Sequence, residues 1–190
     1  MNMIFRKTAH FRKVIWKMPE NGWYFDAVSL CNFLLSDAES ILEQRYRRQA
    51  YITGEVYDEI CAGFVKYPVL KKIETLLNRK IFSLVSLSME DRRLYAGLIA
   101  CLGRGEASCI ASANQTGPVK SRKIVVTDDR AARKQCHQLH IQFTGTIGIL
   151  KASVSDGRLS LYQADIYLDR MIRQGFYSPV RTISEITDLS

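Results

Sequence analysis

Lys123-Ile124-Val125-Val126-Thr127-Asp128-Asp129 is the stretch on which the fold turns. Its compact β-branched core has no polar alternation, so it reads as a strand buried on both faces, the kind found in a parallel sheet. Two acids end it, and a helical pattern with Ala131, Ala132, Cys136 and Leu139 follows. Outward from it the same alternation repeats. Trp23 to Val28 reads as an opening strand and Leu30 to Leu35 as a buried helix turn. Ser36 and Glu39 read as the start of a helix through Arg47. Tyr51-Ile52 is a minimal strand, and Thr53 caps a helix with Val56, Ile60 and Phe64 on one face. Val69 to Leu77 is amphipathic and Ile81 to Leu87 is β-like. Ser88 caps a helix from Met89 to Cys101, ended by Gly103. Gly105 to Ala113 is a further helix, stopped near Gly117-Pro118. Beyond the central strand come Ile141 to Phe143, a helix with Ile147, Leu150 and Val154, and a last helix from Leu161 to Ile172, ended by Gly175. Strands alternating with helices predict an α/β fold with a central, mostly parallel sheet. In such folds sites form outside the carboxyl ends of the strands.

The chain has 190 residues, with 27 Lys+Arg against 19 Asp+Glu and a net charge of +8. Apolar residues make up 47% and charged residues 24%, which excludes wholesale disorder. No apolar run approaches the roughly 18–20 residues that span a bilayer. Arg6, Lys7, Arg12, Lys13 and Lys17 interrupt the N-terminus, so no signal peptide is expected and a cytoplasmic location is the default. Five cysteines without a CxxC pair predict reduced, mostly buried thiols rather than a zinc knuckle or a disulfide framework. The positive balance suits either a phosphate-seeking surface or solubility charge. Residues 1–22 read as a basic extension with Phe5, Phe11 and Trp16: an RNA-touching arm, a helix lying on a partner, or a tail. Residues 23–180 form the domain and 181–190 a C-terminal tail.

There is no GxxxxGK[ST] phosphate loop, no GxGxxG after a strand, no GxSxG elbow and no HExxH. Three histidines supply a His-based site poorly, and His137 and His140 fit dipole compensation at a helix C-terminus. What remains is a set of acids at element ends. Asp26 closes the first strand, Glu59 sits on the helix after the second, Glu106 follows Gly103-Arg104-Gly105, and Asp128 and Asp129 close the central strand. Brought to one rim, such carboxylates repel and need a cation. Oxygen ligands suit Mg²⁺ or Mn²⁺, and a metal so held serves phosphodiester hydrolysis. Each acid also has a plainer role. Glu106 complements a helix dipole, Asp128 or Asp129 caps the next helix, and Glu59 is solvated. Asp26 is harder to place otherwise, because an Asp closing an apolar strand breaks the pattern.

Five segments together resemble a known family. They are Asp26-Ala27-Val28-Ser29-Leu30-Cys31-Asn32-Phe33; Val56-Tyr57-Asp58-Glu59-Ile60; Gly105-Glu106-Ala107 with Ile110-Ala111; Ile124 through Asp128-Asp129-Arg130-Ala131-Ala132-Arg133; and Phe143-Thr144-Gly145-Thr146-Ile147-Gly148-Ile149-Leu150. The chain resembles PIN-domain proteins over residues 23–180, in particular a small prokaryotic group with a GEA…DDR…GT-G-L pattern related to VapC-type toxins. The Asp-Thr-Ser opening common in that group is Asp26-Ala27-Val28-Ser29 here. The resemblance implies an α/β/α sandwich with a central parallel sheet and a Mg²⁺- or Mn²⁺-dependent ribonuclease. It also implies RNA as substrate, an antitoxin protein as a partner of such toxins, and a homodimer. Carried over by position, the family's acids fall on Asp26, Glu59, Glu106 and the Asp128-Asp129 pair. Asn32 and Thr127 match its polar positions. Asp26, Glu106 and Asp128/Asp129 would bind the metal, Glu59 would orient or deprotonate the water, and Arg130, Arg133, Arg104 and Lys123 would hold RNA. The alternative is a PIN fold that binds RNA or protein without cleaving.

Overall fold

The computed structural model of the chain describes residues 21–114 and 122–187. Five strands, β1 (Asn21–Phe25), β2 (Ala50–Thr53), β3 (Phe82–Val85), β4 (Arg122–Val126) and β5 (Gln142–Thr144), form one sheet in the order β3-β2-β1-β4-β5. Every neighbouring pair is parallel. Helices cover both faces, so Ile124, Val125 and Val126 are all buried although their side chains alternate. The expected α/β sandwich with a parallel sheet is the fold observed.

The helices are α1 (Ala27–Leu35), α2 (Glu39–Tyr46), α3 (Gly54–Ala62), α4 (Lys72–Asn78), α5 (Met89–Leu98), α6 (Arg104–Ala113), α7 (Arg130–Gln138), α8 (Thr146–Ser155), α9 (Leu161–Arg173) and α10 (Ser184–Thr187). Thr53 caps α3 by accepting from the Val56 N–H, and Ser88 caps α5 in a capping box with Asp91. Gly175, at φ +99°, follows α9 in a conformation that glycine adopts without strain.

Several boundaries differ from expectation. β1 ends at Phe25, and Ala27 and Val28 open α1 instead of extending the strand. Ser36 does not start α2. It ends α1, its hydroxyl donating to the Asn32 carbonyl, and Ala38 precedes α2 without a side-chain cap. α5 stops at Leu98, and Gly103 opens α6 rather than closing α5. The stop expected near Gly117-Pro118 lies outside the described residues. So do residues 1–20 of the basic extension, while Asn21 and Gly22 belong to β1. At the other end, Ile183 is buried and its N–H donates to Asp165 Oδ1. Of the thiols, Cys109 and Cys136 are buried, Cys31 and Cys61 half-buried and Cys101 exposed, all of them free.

The core centres on β1. Phe25 is fully buried and packs edge-on against Tyr46 and Phe82, at ring separations of 5.3 and 5.1 Å. Phe25→Ala should lower the unfolding free energy by about 3–5 kcal/mol in urea titration, since the two flanking rings close the gap only partly. A loss under about 1 kcal/mol would contradict this packing.

Candidate active site

The strand order reverses between β1 and β4, because β2 and β3 lie on one side of β1 while β4 and β5 lie on the other. Such a switch point opens a crevice at the carboxyl ends of the two strands. Phe25 pairs with Val126, and the Asp26 N–H continues the ladder by donating to the Val126 carbonyl at 3.0 Å. The register therefore sets Asp26 beside Thr127 and Asp128.

Asp26 is fully buried. Its Oδ1 caps α1, accepting from the Ser29 N–H at 2.6 Å. Its Oδ2 is buried and has no hydrogen-bond partner of good geometry among the described residues. Burial pushes the carboxyl up to about 7; the Thr127 hydroxyl and Ser29 oppose the rise and the charge of Asp128 adds to it.

Asp128 is held from several sides. Oδ1 accepts from Arg133 Nη2 at 2.9 Å and from the Thr146 N–H at 3.0 Å. Oδ2 accepts from the hydroxyls of Ser29 and Thr146 and, at 3.4 Å, from Asn32 Nδ2. Asn32 also donates to Thr146 Oγ1 at 3.0 Å. Asn32 and Thr127 are buried and serve this network: Thr127 Oγ1 accepts from the Asp129 N–H, and its carbonyl accepts from Arg133 Nε. Asp129 is exposed and caps α7 through Ala132 N–H. Ser29 and Thr146 were not singled out as site residues, although Gly145-Thr146 lies within the quoted GT-G-L pattern.

Glu59 and Glu106 meet at the N-terminus of α6. Glu59 Oε1 accepts from the Gly105 N–H at 2.9 Å. A Cβ at Gly105 would lie 2.4 Å from Glu59 Oε2, and one at Gly103 would lie 2.3 Å from Glu106 Oε2. The two glycines of Gly103-Arg104-Gly105 therefore make room for the two carboxylates. Desolvation raises the Glu59 carboxyl, the Gly105 N–H lowers it, and Glu106 raises it again. Buried Cys109, whose thiol donates to the Phe25 carbonyl at 3.2 Å, links the groups. Burial first, then the charges of Asp26, Glu106 and Glu59, push its thiol up.

The acids thus share one rim in two subsets, Asp26 with Asp128 and Glu59 with Glu106. Among the described residues no three His, Cys, Asp or Glu side chains converge on a point where a metal ion would sit. The donor chemistry does fit a hard divalent cation, being all carboxylate oxygen, and Asp26 Oδ2 is a buried acceptor without a well-aligned donor among the described residues. The basic residues expected on RNA divide. Arg133 pairs with Asp128, and Lys123 donates to the Ser112 carbonyl and lies over the Tyr24 ring. Arg104 and Arg130 are exposed. Among the described residues no helix is long and apolar enough to cross a membrane.

A parallel α/β sandwich with carboxylates gathered at its switch point defines a class of α/β proteins in which this end of the sheet carries the chemistry. A family model described as a PIN domain matches residues 12–190, and the chain belongs to the PIN-domain family. No curated protein matches the sequence. PIN domains are generally nucleases and typically use divalent metal ions.

The Asp26 carboxyl titrates near 7 when folded and near 3.8 unfolded, so between these values the native state binds the extra proton. Wild-type stability accordingly falls as pH rises through that window, and the loss is complete above it. Asp26→Asn keeps an acceptor for Ser29 and removes the titration. In EDTA its urea-unfolding advantage over wild type should grow from about pH 4 to about pH 8, by of order 3 kcal/mol. A pH-independent difference would contradict the buried charge.

Proposed function

We propose that this PIN-domain protein is a metal-dependent endoribonuclease. One observation carries the reading: a fully buried carboxylate at the switch point of the sheet, with one oxygen spent on a helix cap and the other without a well-aligned donor among the described residues. A structural role asks for the first oxygen only. The second is the acceptor that a cation completes.

In this reading Asp26, Glu106 and Asp128 would hold Mg²⁺ or Mn²⁺, with Asp129 at the edge of the site. The ion, when bound, supplies Lewis-acid stabilisation of the phosphoryl oxygens and a water of lowered pKa. Glu59 would orient an attacking water and take up a proton at a carboxylate oxygen; its raised proton affinity suits the task. The N-terminus of α6 keeps the Glu59 carboxylate in place through the Gly105 N–H. Exposed Arg130, next to the Asp128-Asp129 pair, is placed to meet a phosphate. RNA is the favoured polymer on the strength of the family resemblance and the net charge of +8. A toxin of a type II toxin–antitoxin pair, neutralised by an antitoxin protein, a homodimeric assembly and a cytoplasmic location belong to the same proposal.

A second reading has its own support. The Arg133–Asp128 ion pair and the lack of three converging ligands among the described residues favour a module that binds RNA or protein without cleaving it. Cleavage of single-stranded RNA with Mg²⁺ or Mn²⁺ separates the two. The nuclease should lose at least about 100-fold in rate with Asp26→Asn and all measurable turnover in EDTA. Equal rates in both proteins, or RNA affinity that survives EDTA with no turnover and falls steeply with salt, would replace the nuclease by the binding module.

A further inference from the structure

The sheet ends on one side at β3. This strand pairs with β2 from Phe82 with Ala50 to Val85 with Thr53, and among the described residues no strand pairs with its outer side. The stretch Ile81-Phe82-Ser83-Leu84-Val85-Ser86-Leu87-Ser88 carries no charge and no proline. Those are the residues that ordinarily guard an edge, because a row of free backbone N–H and C=O groups invites another strand. Leu84 shares a face with Phe82, two residues back. Phe82 is buried against Phe25, whereas Leu84 is 52% exposed. A groove of about 620 Å³ opens there, lined by Arg48, Leu77, Lys80, Phe82, Ser83 and Leu84.

The charged residues lining this groove are both cations. Arg48 precedes β2 and Lys80 precedes β3, so they stand at the amino end of the sheet, away from the acids. Among the described residues neither forms an ion pair. Arg79, next in sequence to Lys80, is by contrast held by both oxygens of Glu43. Arg48 and Lys80 have φ of +64° and +54°, just past α2 and α4, where glycine or asparagine is the ordinary choice. The helix dipoles favour positive charge at these ends. That accounts for the sign of each residue but not for two unpaired cations lining one apolar groove.

We propose that the β3 edge is a docking site for an acidic protein segment in extended conformation. The segment adds as a strand beside β3, lays an apolar side chain against Leu77 and Leu84, and sets carboxylates on Arg48 and Lys80. The open edge asks for a polypeptide backbone, and the cations ask for negative charge at one end. The basic extension, with five Lys and Arg against one Glu over residues 1–20, brings the wrong sign, as does a second copy at +8. The inference stands whether or not the acidic rim cleaves RNA.

Fluorescence anisotropy of labelled peptides added to the full-length protein tests it. The peptides alternate valine and threonine and end in paired glutamates at the amino or the carboxyl terminus, or in paired lysines. One of the glutamate peptides should bind, the lysine peptides should not, and hydrogen exchange should show new protection within β3. Joint replacement Arg48→Gln and Lys80→Gln should weaken binding roughly tenfold. Leu84→Lys, at an exposed position, should abolish it; Leu84→Thr should weaken it if Leu84→Lys does not fold, as checked by circular dichroism. Methylating alternate peptide amides should also abolish binding. No binding at millimolar peptide, equal binding of the lysine peptides, unchanged affinity in the folded variants, or binding without protection of β3 would overturn the proposal. So would polyuridylate that displaces the peptide, which gives the groove to RNA, or a dimer of the wild type that Leu84→Lys disperses, which gives it to a second copy.

Discussion

The ladder between β1 and β4 is the constraint from which the site follows. These strands are neighbours in the sheet but distant in sequence, and they pair in parallel from Asn21 with Arg122 to Phe25 with Val126. One further bond, from the Asp26 N–H to the Val126 carbonyl, carries the register past the end of both strands. A one-residue slip would turn Asp26 to the other face of the sheet and take Phe25 out of its contacts with Tyr46 and Phe82. The position of the buried carboxylate is therefore as firmly set as the core itself, because the same hydrogen bonds set both.

Four of the carboxylates at this end are tied to backbone N–H groups at a helix N-terminus. Asp26 caps α1, Asp129 caps α7, Asp128 accepts from the first residue of α8, and Glu59 accepts at the start of α6. In a parallel α/β sheet the helices begin where the strands end, so their positive dipole ends gather on the rim that collects the acids. A choice between a capping acid and a catalytic acid is consequently a false one here. The helix termini are what allow several carboxylates to approach without a cation, and Arg133 completes that local compensation for Asp128.

The parts of this arrangement that local sequence encodes were legible before any contact was known. The β-branched run Ile124–Thr127 gives β4, and Thr53 and Ser88 announce α3 and α5 because a cap hydroxyl bonds three residues ahead. Ser36 and Gly103 misled for a physical reason. A hydroxyl after a helix bonds backward to a carbonyl as readily as forward to an N–H, and a glycine between two helices ends one or opens the next with equal ease. Asp26, Asp128 and Asp129 stand out by their place after strands, and Glu59 and Glu106 by their place on helices. Their grouping into two subsets does not, since it depends on pairs such as Asp128 with Ser29, 99 residues apart. Arg133 is expected from the sequence to hold RNA, and the structure pairs it with Asp128 instead. Nothing local to it shows that Gly145 leaves its guanidinium room beside Asp128.

The economics of Asp26 favour a chemical over a structural role. An asparagine at this position would offer the same acceptor to the Ser29 N–H and cap α1 about as well. It would carry no charge into the core, where a carboxylate is disfavoured strongly enough to titrate near 7. On stability alone the second oxygen is a liability, buried with no well-aligned donor among the described residues, and the Thr127 and Ser29 hydroxyls ease its charge only in part. Departures of this kind from local good sense concentrate where a site needs them. The neighbouring Asp128 makes the contrast within one crevice: given Arg133, two hydroxyls, an amide and a backbone N–H, it is compensated as fully as a buried acid can be. A fold able to satisfy one carboxylate so completely, three residues beyond the β4 register partner of Phe25's neighbour Tyr24, had the means to satisfy the other, and the oxygen it leaves open is the one that a cation from solution would complete.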